Sequence, residues 1–335
     1  RVAASHFSVM VKELSQVFVA GPPVAIALGE NVTKEELGGW KIQGQNGTVD
    51  NVVDTEADAF EAARRFLSYL PPSVHELPER TPPADDPHRK EEFLLSIVPT
   101  DGKTPYKPRK IVEATVDRHS FFEIGHDWGR GMVCGFARID GHPVGILAGD
   151  PFFLDGAWTA DVCDKVTRHM DLCSMFHLPV VHFVDCPGFA VGVKAETAGV
   201  TRAGVRAMTA IYQANVPVCS VVIRKAYGLA GSTMMNQSKT KWRYCWPSGD
   251  WGSLPMAGGI EAAFRKELAE AEDPEELKAA LYKKFEAIRS PFRTAESFLA
   301  EEIIDPRDTR PLLVDFIHHA VRVVETGEFR HGYRP

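Results

Sequence analysis

The fold is decided by residues 179–184, which have the sequence PVVHFV and end at a glycine-rich turn. Their β-branched and aromatic side chains predict a buried β-strand. Before this strand, apolar residues recur at helical intervals and predict a helix over residues 159–177. A second helix is predicted after the strand, over residues 199–214. Further apolar strands are predicted at 143–148 and 216–223. This alternation predicts a largely parallel sheet covered by helices, which is an α/β fold.

The flanking regions contain further helical patterns and one abrupt change of composition. Residues 71–90 are rich in proline and charge, which predicts a linker or an extended surface crossing. This is the best candidate for a domain boundary. Helices are predicted at 33–37, where Thr33 and Glu36 have capping-box spacing, and at 55–70, 258–271, 274–288 and 312–324.

Composition excludes several classes of protein. The chain has 335 residues, with 38 Lys and Arg against 45 Asp and Glu, giving a net charge of −7. This mild acidity argues against a general nucleic-acid binder. No apolar run approaches the roughly 20 residues that a membrane span needs. The six cysteines are scattered without CxxC or metal-ligand spacing, which predicts reduced, buried thiols in the cytoplasm or an organelle matrix, and no metal site.

The ends of two predicted strands have unusual sequences. Residues 184–192, VDCPGFAVG, contain Gly188 and Gly192, which allow the backbone to approach a ligand closely, although a plain structural turn would use the same residues. Residues 224–232, RKAYGLAGS, place small residues at the start of a helix. Backbone N–H groups exposed there suit an anion or a developing oxyanion, whereas tight packing of a helix on a strand would also require small residues.

Side-chain catalysis is less well supported by the sequence. Ser232 lacks the GxSxG context of an activated nucleophile. Asp185 is a candidate general base or the cap of a turn, and Arg224 and Lys225 either bind substrate phosphates or cover the end of the sheet. The sequence therefore favours catalysis by backbone donors.

The same segments resemble a known family. Residues 135–146, 184–189, 224–228 and 303–310, preceded by matching stretches within residues 18–39, resemble the carboxyltransferase (β) subunits of biotin-dependent acyl-CoA carboxylases. Within this family the resemblance is to the propionyl-CoA and methylcrotonyl-CoA carboxylase types. The resemblance implies the crotonase-like α/β fold, a ββα superhelix. Residues 1–85 would be the tail of an N-terminal carboxyltransferase half plus linker, and residues 86–335 the C-terminal crotonase-like domain.

The resemblance also implies a reaction and its partners. Carbon dioxide would move from carboxybiotin, held on another chain, to the α- or γ-carbon of an acyl-CoA through a thioester enolate. Biotin carboxylase and biotin carrier subunits, the N-terminal half and a homo-oligomer are the expected partners. Because the sequence begins at Arg1 without Met, we expect the first half to lie upstream or on a separate chain. Two alternatives remain: a biotin-dependent acyl-CoA decarboxylase subunit of the same fold, and a noncatalytic scaffold subunit.

The resemblance assigns roles to specific residues. Leu229 and Ala230 would be the backbone oxyanion donors. Gly231 and Ser232 replace the Tyr-Asp usual in the family at a position implied to shape the acyl chain, and Gly149-Asp150 replaces a commonly amide-bearing pair. The biotin pocket would consist of Gly188, Phe189, Gly192, Tyr227 and Gly228.

Overall fold

The structure, a computed structural model, describes residues 1–335 except 84, 235–241, 254–255, 331, 333 and 335. In the described part of the chain the strands are Val9–Val11 (β1), Asn51–Val53 (β2), Phe122–Ile124 (β3), Met132–Ile139 (β4), His142–Gly149 (β5), Val180–Cys186 (β6), Val218–Tyr227 (β7), Trp242–Cys245 (β8), Asp250–Gly252 (β9) and Glu302–Ile303 (β10).

Helices connect and cover these strands. Those seen among the same residues are Pro22–Ala27 (α1), Lys34–Gly38 (α2), Trp40–Gln43 (α3), Glu56–Leu67 (α4), Pro108–Thr115 (α5), Ala160–Met175 (α6), Val193–Thr197 (α7), Val200–Gln213 (α8), Gly228–Met234 (α9), Met256–Ala263 (α10), Arg265–Glu270 (α11), Pro274–Arg289 (α12), Pro291–Glu296 (α13) and Thr309–Ala320 (α14).

The main sheet has the strand order β10-β8-β7-β6-β5-β4-β3, and β9 pairs with the end of β7. Strands β5, β6, β7 and β8 pair with one another in parallel, while β3, β4 and β5 form an antiparallel meander. The largely parallel α/β sheet predicted from the sequence is therefore confirmed. Strands β1 and β2 form a separate parallel pair.

The core lies in two apolar layers, one on each face of the main sheet. One layer contains residues of α6 and α8, and the other contains residues of α5 and α14. Alternate residues of β6 serve the two layers: Val180 and Val184 face α6 and α8, whereas Val181 and Phe183 face the opposite layer. This explains why the strand is apolar along its whole length, since both of its faces are buried.

The N-terminal segment packs into the first of these layers. Thr55 and Asp58 form a capping box at the start of α4, and the α4 residues Ala62 and Phe66 are buried in the same cluster as Phe136 of β4. Residues 1–85 thus share a core with the rest of the chain. The division of the chain near residue 85, between the tail of an N-terminal half and a C-terminal domain, stays a prediction.

Two sequence predictions need correction. The strand expected at 216–223 continues to Tyr227, because its last residues pair with β9. The single helix expected over 258–271 is broken at Phe264, where φ is −113° and ψ is 26°, and the ring packs 5.7 Å from that of Phe285. Within the described residues, no helix combines the length and the apolar character needed to cross a membrane.

Candidate active site

The two glycine-rich strand ends lie side by side. Cys186, the last residue of β6, pairs with Ala226 near the end of β7. A Cβ atom added to Gly188 would lie 3.9 Å from the carbonyl oxygen of Tyr227. The structure therefore brings together, at the carboxyl end of the parallel strands, the two segments that the sequence singled out.

The first segment is a turn anchored from behind. Trp158 donates its backbone N–H to the carbonyl oxygen of Gly188 at 3.0 Å, and Gly188 has a φ of +120° that favours glycine. The ring of Phe189 packs edge-on to Trp158, with centroids 6.0 Å apart, and closely against the backbone of Gly204 in α8. The Phe189 ring thus fixes the turn, and the Gly188 N–H donates to Cys186 Sγ at 3.4 Å. At Gly192 an added Cβ would meet no described atom within 4 Å.

The second segment opens helix α9. Gly228 has a φ of +59°, which turns the chain sharply from β7 into the helix. The side chain of Leu229 is 60% exposed, whereas Ala230 is fully buried. The N–H groups of the first helical turn have no acceptor within the helix. The main chain at Leu229 and Ala230 therefore offers donors next to the turn at Gly188.

Gly231 has a packing role that the sequence left open. A Cβ there would lie 2.4 Å from the carbonyl carbon of Ala226, so α9 rests directly on the end of β7. We expect Gly231→Ala to lower the free energy of unfolding by about 1–3 kcal/mol through overpacking. Ser232→Ala, at the neighbouring exposed position, should change it by less than about 0.5 kcal/mol. Urea unfolding of the two variants tests this, and equal stabilities would contradict it.

A polar cluster lies behind the turn at Gly228. The Tyr227 hydroxyl, on a buried ring, contacts the Asp250 carboxylate and the Arg289 guanidinium, and Arg289 Nε donates to Asp250 Oδ1 at 2.6 Å. Burial, then the hydrogen bond to Asp250, raises the pKa of Tyr227 well above its usual value. Tyr227 thus contributes main chain, and not its hydroxyl, to the site.

Sequence reasoning missed this cluster. Asp250 and Arg289 lie 23 and 62 residues beyond Tyr227, in a short strand and at the end of a helix. No motif or spacing links them. The pairing of β9 with β7 and the end of α12 bring them together.

The charged residues of the strand ends are paired within the protein. Arg224 Nη2 donates to Asp185 Oδ2 at 3.0 Å, and the Lys225 backbone N–H donates to Asp185 Oδ1 at 3.1 Å. Asp185 thus joins β6 to β7 and does not cap a local turn. Burial raises the pKa of the Asp185 carboxyl, and Arg224 opposes that shift. The Lys225 ammonium pairs with Asp155. Both cations therefore stabilise the sheet end.

Comparison with known proteins identifies the family. The family described as the carboxyl transferase domain matches residues 1–327 of this chain. The chain belongs to the carboxyl transferase domain family.

Two curated relatives illustrate the range of the family. The propionyl-CoA carboxylase carboxyltransferase subunit of Haloferax mediterranei is 34% identical over 316 residues, covering 93% of this chain and 61% of the relative. The methylmalonyl-CoA decarboxylase subunit alpha of Veillonella parvula is 32% identical over 316 residues, with the same coverage of 93% and 61%. The chain thus spans about three fifths of the length of these carboxyl transferase relatives.

A solved structure extends the likeness to the whole fold. A transcarboxylase 12S structure, described as a hexamer assembly with methylmalonyl-CoA and methylmalonic acid bound, matches with a TM-score of 0.91 and 31% identity. The match covers 99% of this chain and 65% of that one. The fold is the crotonase-like α/β fold of carboxyl transferases, as the sequence predicted.

One departure from the family pattern has a structural explanation. Asp150, which the resemblance predicts to be a departure from the family, is 1% exposed and accepts a hydrogen bond from Arg109 Nη1 at 2.7 Å. Arg109 also pairs with Glu123. Asp150 and Glu123 thus share the positive charge of one arginine just beyond the end of β5.

Proposed function

We propose that this chain supplies the second half, and the tail of the first half, of a biotin-dependent acyl-CoA carboxyltransferase. Carbon dioxide is moved from carboxybiotin to the α- or γ-carbon of an acyl-CoA through an enolate. The observation that carries the proposal is the start of α9, where the N–H groups of Leu229 and Ala230 follow Tyr227, whose carbonyl oxygen lies beside Gly188. Family membership supports the same chemistry.

The residues at this edge of the sheet fit biotin. Gly188, Gly192 and Gly228 bear no side chains, and the space that a Cβ would occupy at Gly192 is open. A flat ring with a carbonyl oxygen can approach such a surface and accept backbone hydrogen bonds. Phe189 and Tyr227 hold the two turns in place from behind. These five residues form the proposed biotin pocket.

The chain acts mainly through its backbone. Leu229 and Ala230 donate N–H groups to an oxygen that gains negative charge during transfer, and the dipole of α9 favours that charge. Asp185 and Lys225, the charged side chains nearest in sequence to Gly188 and Gly228, are engaged in ion pairs and take no proton from substrate. When bound, carboxybiotin supplies the carbon dioxide and the proton acceptor. Gly231 and Ser232 are proposed to shape the acyl end of the site.

The reaction requires further polypeptides. We propose a first carboxyltransferase half that holds most of the acyl-CoA, and biotin carboxylase and biotin carrier subunits on other chains. The transcarboxylase 12S relative is described as a hexamer, which supports a homo-oligomer here. The six cysteines are buried free thiols, as predicted. This supports the cytoplasm or an organelle matrix as the proposed location.

A transcarboxylation assay tests the proposal. The chain, co-purified with its first half, is mixed with biotin and malonyl-CoA, methylmalonyl-CoA or longer malonyl-type thioesters carrying a labelled carboxyl group. We expect transfer of label to biotin with at least one thioester, and recovery of a biotinylated partner from the native complex. An intact complex that transfers no label would support the scaffold alternative and contradict the proposal.

The decarboxylase alternative is favoured by one specific relative, the Veillonella parvula decarboxylase subunit. One enolate serves both directions, so the described site fits either. Supplying bicarbonate, ATP and the biotin carboxylase subunit distinguishes them. Net formation of the carboxylated thioester supports a carboxylase, whereas labelled carbon dioxide released without net carboxylation supports a decarboxylase.

A further inference from the structure

A large cavity lies next to the candidate active site. It has a volume of about 550 Å³, is partly open to solvent, and is lined by residues of β9, α10, α12, α13 and the segment that follows α13. Pockets that bind small molecules usually span about 300–1,000 Å³, so this volume suits a ligand. Nothing in the proposed roles of Leu229, Ala230 or the biotin pocket uses it.

The walls of the cavity are mainly apolar. Its side chains include an aromatic pair, Phe264 and Phe285, whose ring centroids are 5.7 Å apart, together with Trp251, Ile260 and Leu299. A polar ligand would lose its hydration there without gaining partners along most of the wall. Aliphatic groups gain free energy in such surroundings in proportion to the area they bury.

Two charged side chains line the cavity. Arg289, bound to Asp250 and Tyr227, and the exposed Arg293 are the two arginines that line it. Because Arg289 is paired with Asp250, Arg293 is the lining arginine left to face an anionic or polar part of a ligand, while the apolar walls suit an alkyl chain.

The cavity and the candidate oxyanion donors are separated by one strand. Gly252 and Trp251 of β9 line the cavity, and Gly252 pairs with Tyr227, the residue before Gly228. Adjacent strands lie about 4.8 Å apart. Ser253, which also lines the cavity, places its carbonyl oxygen 3.4 Å from the position of a Cβ on Gly228. The cavity thus begins one strand away from Tyr227, two residues before the first candidate oxyanion donor, Leu229.

We propose that this cavity binds the aliphatic chain of the acyl-CoA substrate, so that the chain works on medium-length acyl groups and not on propionyl groups alone. This inference rests on the proposed function, since it names the substrate class of that site. A group of two or three carbons would leave most of the cavity unfilled, and each further methylene would gain free energy by leaving water.

Binding of a series of saturated acyl-CoAs tests the inference. Isothermal titration of the chain with its first half, using straight acyl groups of increasing length from propionyl-CoA, needs no turnover. We expect the dissociation constant to fall about fourfold per added methylene, and then to level off when the cavity is full. A series that stays flat from propionyl-CoA onward would overturn the inference.

Two variants of the wall make the test specific. Ile260→Trp fills the cavity and should abolish the fall of the dissociation constant with chain length. Phe285→Ala enlarges it and should move the levelling point to longer chains, which keeps the test usable if the first variant misfolds. Val323→Trp, on the exposed surface beyond α14, is the matched control. A chain-length dependence that neither wall variant alters would overturn the inference, because the acyl chain would then bind outside this cavity.

The two proposals fail separately. Label transferred to biotin together with a flat binding series would contradict only the acyl-chain cavity. Binding that strengthens with chain length in a complex that transfers no label would contradict only the carboxyltransferase.

Discussion

Replacing Leu229 with proline is expected to slow carboxyl transfer by about 10²–10³-fold while leaving the chain folded. Proline lacks the backbone N–H, and loss of one oxyanion donor typically has an effect of this size. Leu229 is the second residue of α9, where an N–H has no acceptor within the helix, so no structural hydrogen bond is lost. Its side chain is largely exposed, so little packing is lost either.

Leu229→Ala is the matched control, because it shortens the same side chain and keeps the N–H. The turnover number is measured for both variants in the transcarboxylation assay, with circular dichroism to establish that each is folded. We expect the alanine variant to retain close to the parent rate. If proline and alanine at position 229 gave the same rate, the N–H of Leu229 would have no role in the reaction.

The structure argues against testing the donors with a bulky residue at Ala230. Ala230 is fully buried in the apolar layer that also contains Cys186 and Ala226. A larger side chain there would overpack the core and lower stability by about 1–3 kcal/mol. Loss of activity would then have two explanations. At Leu229 the side chain is exposed, so a substitution there can remove the N–H donor without disturbing the core.

Patterns of burial made much of the fold predictable. The β6 strand has both faces covered, so its sequence is apolar throughout, and α6 and α8 show helical periodicity because one side of each packs on the sheet. The glycines at 188 and 228 marked the two turns because their positive φ values favour that residue. Local physics therefore leaves a signal in the sequence for elements and for the backbone of the site.

Long-range pairing leaves no such signal. The extension of β7 to Tyr227 depends on β9, which begins 23 residues later at Asp250. The cavity depends on the packing of α10 against α12, whose sequences show only amphipathic or charged helices. These contacts, and the substrate class that they favour, are visible only in the three-dimensional structure.

Two buried histidines should make the stability of the chain strongly dependent on pH. The side chains of His169 in α6 and His182 in β6 are both buried. His182 Nε2 has no hydrogen-bond partner among the described atoms. Burial lowers the pKa of each imidazole to about 3, helped at His169 by Lys165 and at His182 by His169 itself. Both rings are therefore neutral in the folded chain.

Acidification from pH 6.5 towards pH 3 should destabilise the fold through these rings. Below about pH 6.5 the unfolded chain protonates both histidines while the folded chain protonates neither, so protons favour unfolding. Each ring then removes about 1.4 kcal/mol of unfolding free energy per pH unit, which amounts to about 4 kcal/mol for the pair at pH 5. Above pH 6.5 the contribution of both rings to stability is fully present.

His182→Leu isolates one of the two contributions. Leucine takes up no proton in either state, so the variant should lose about 2 kcal/mol less unfolding free energy than the parent between pH 7 and pH 5. Urea unfolding at several pH values measures the difference. His75→Leu, at an exposed position, is the control and should keep the parent slope. If His182→Leu and the parent lost stability in parallel, His182 would have to gain its proton in the folded chain as readily as in the unfolded one. The ring would then be in contact with water, and the layer between β6 and α6 would not be the closed apolar core that the packing indicates.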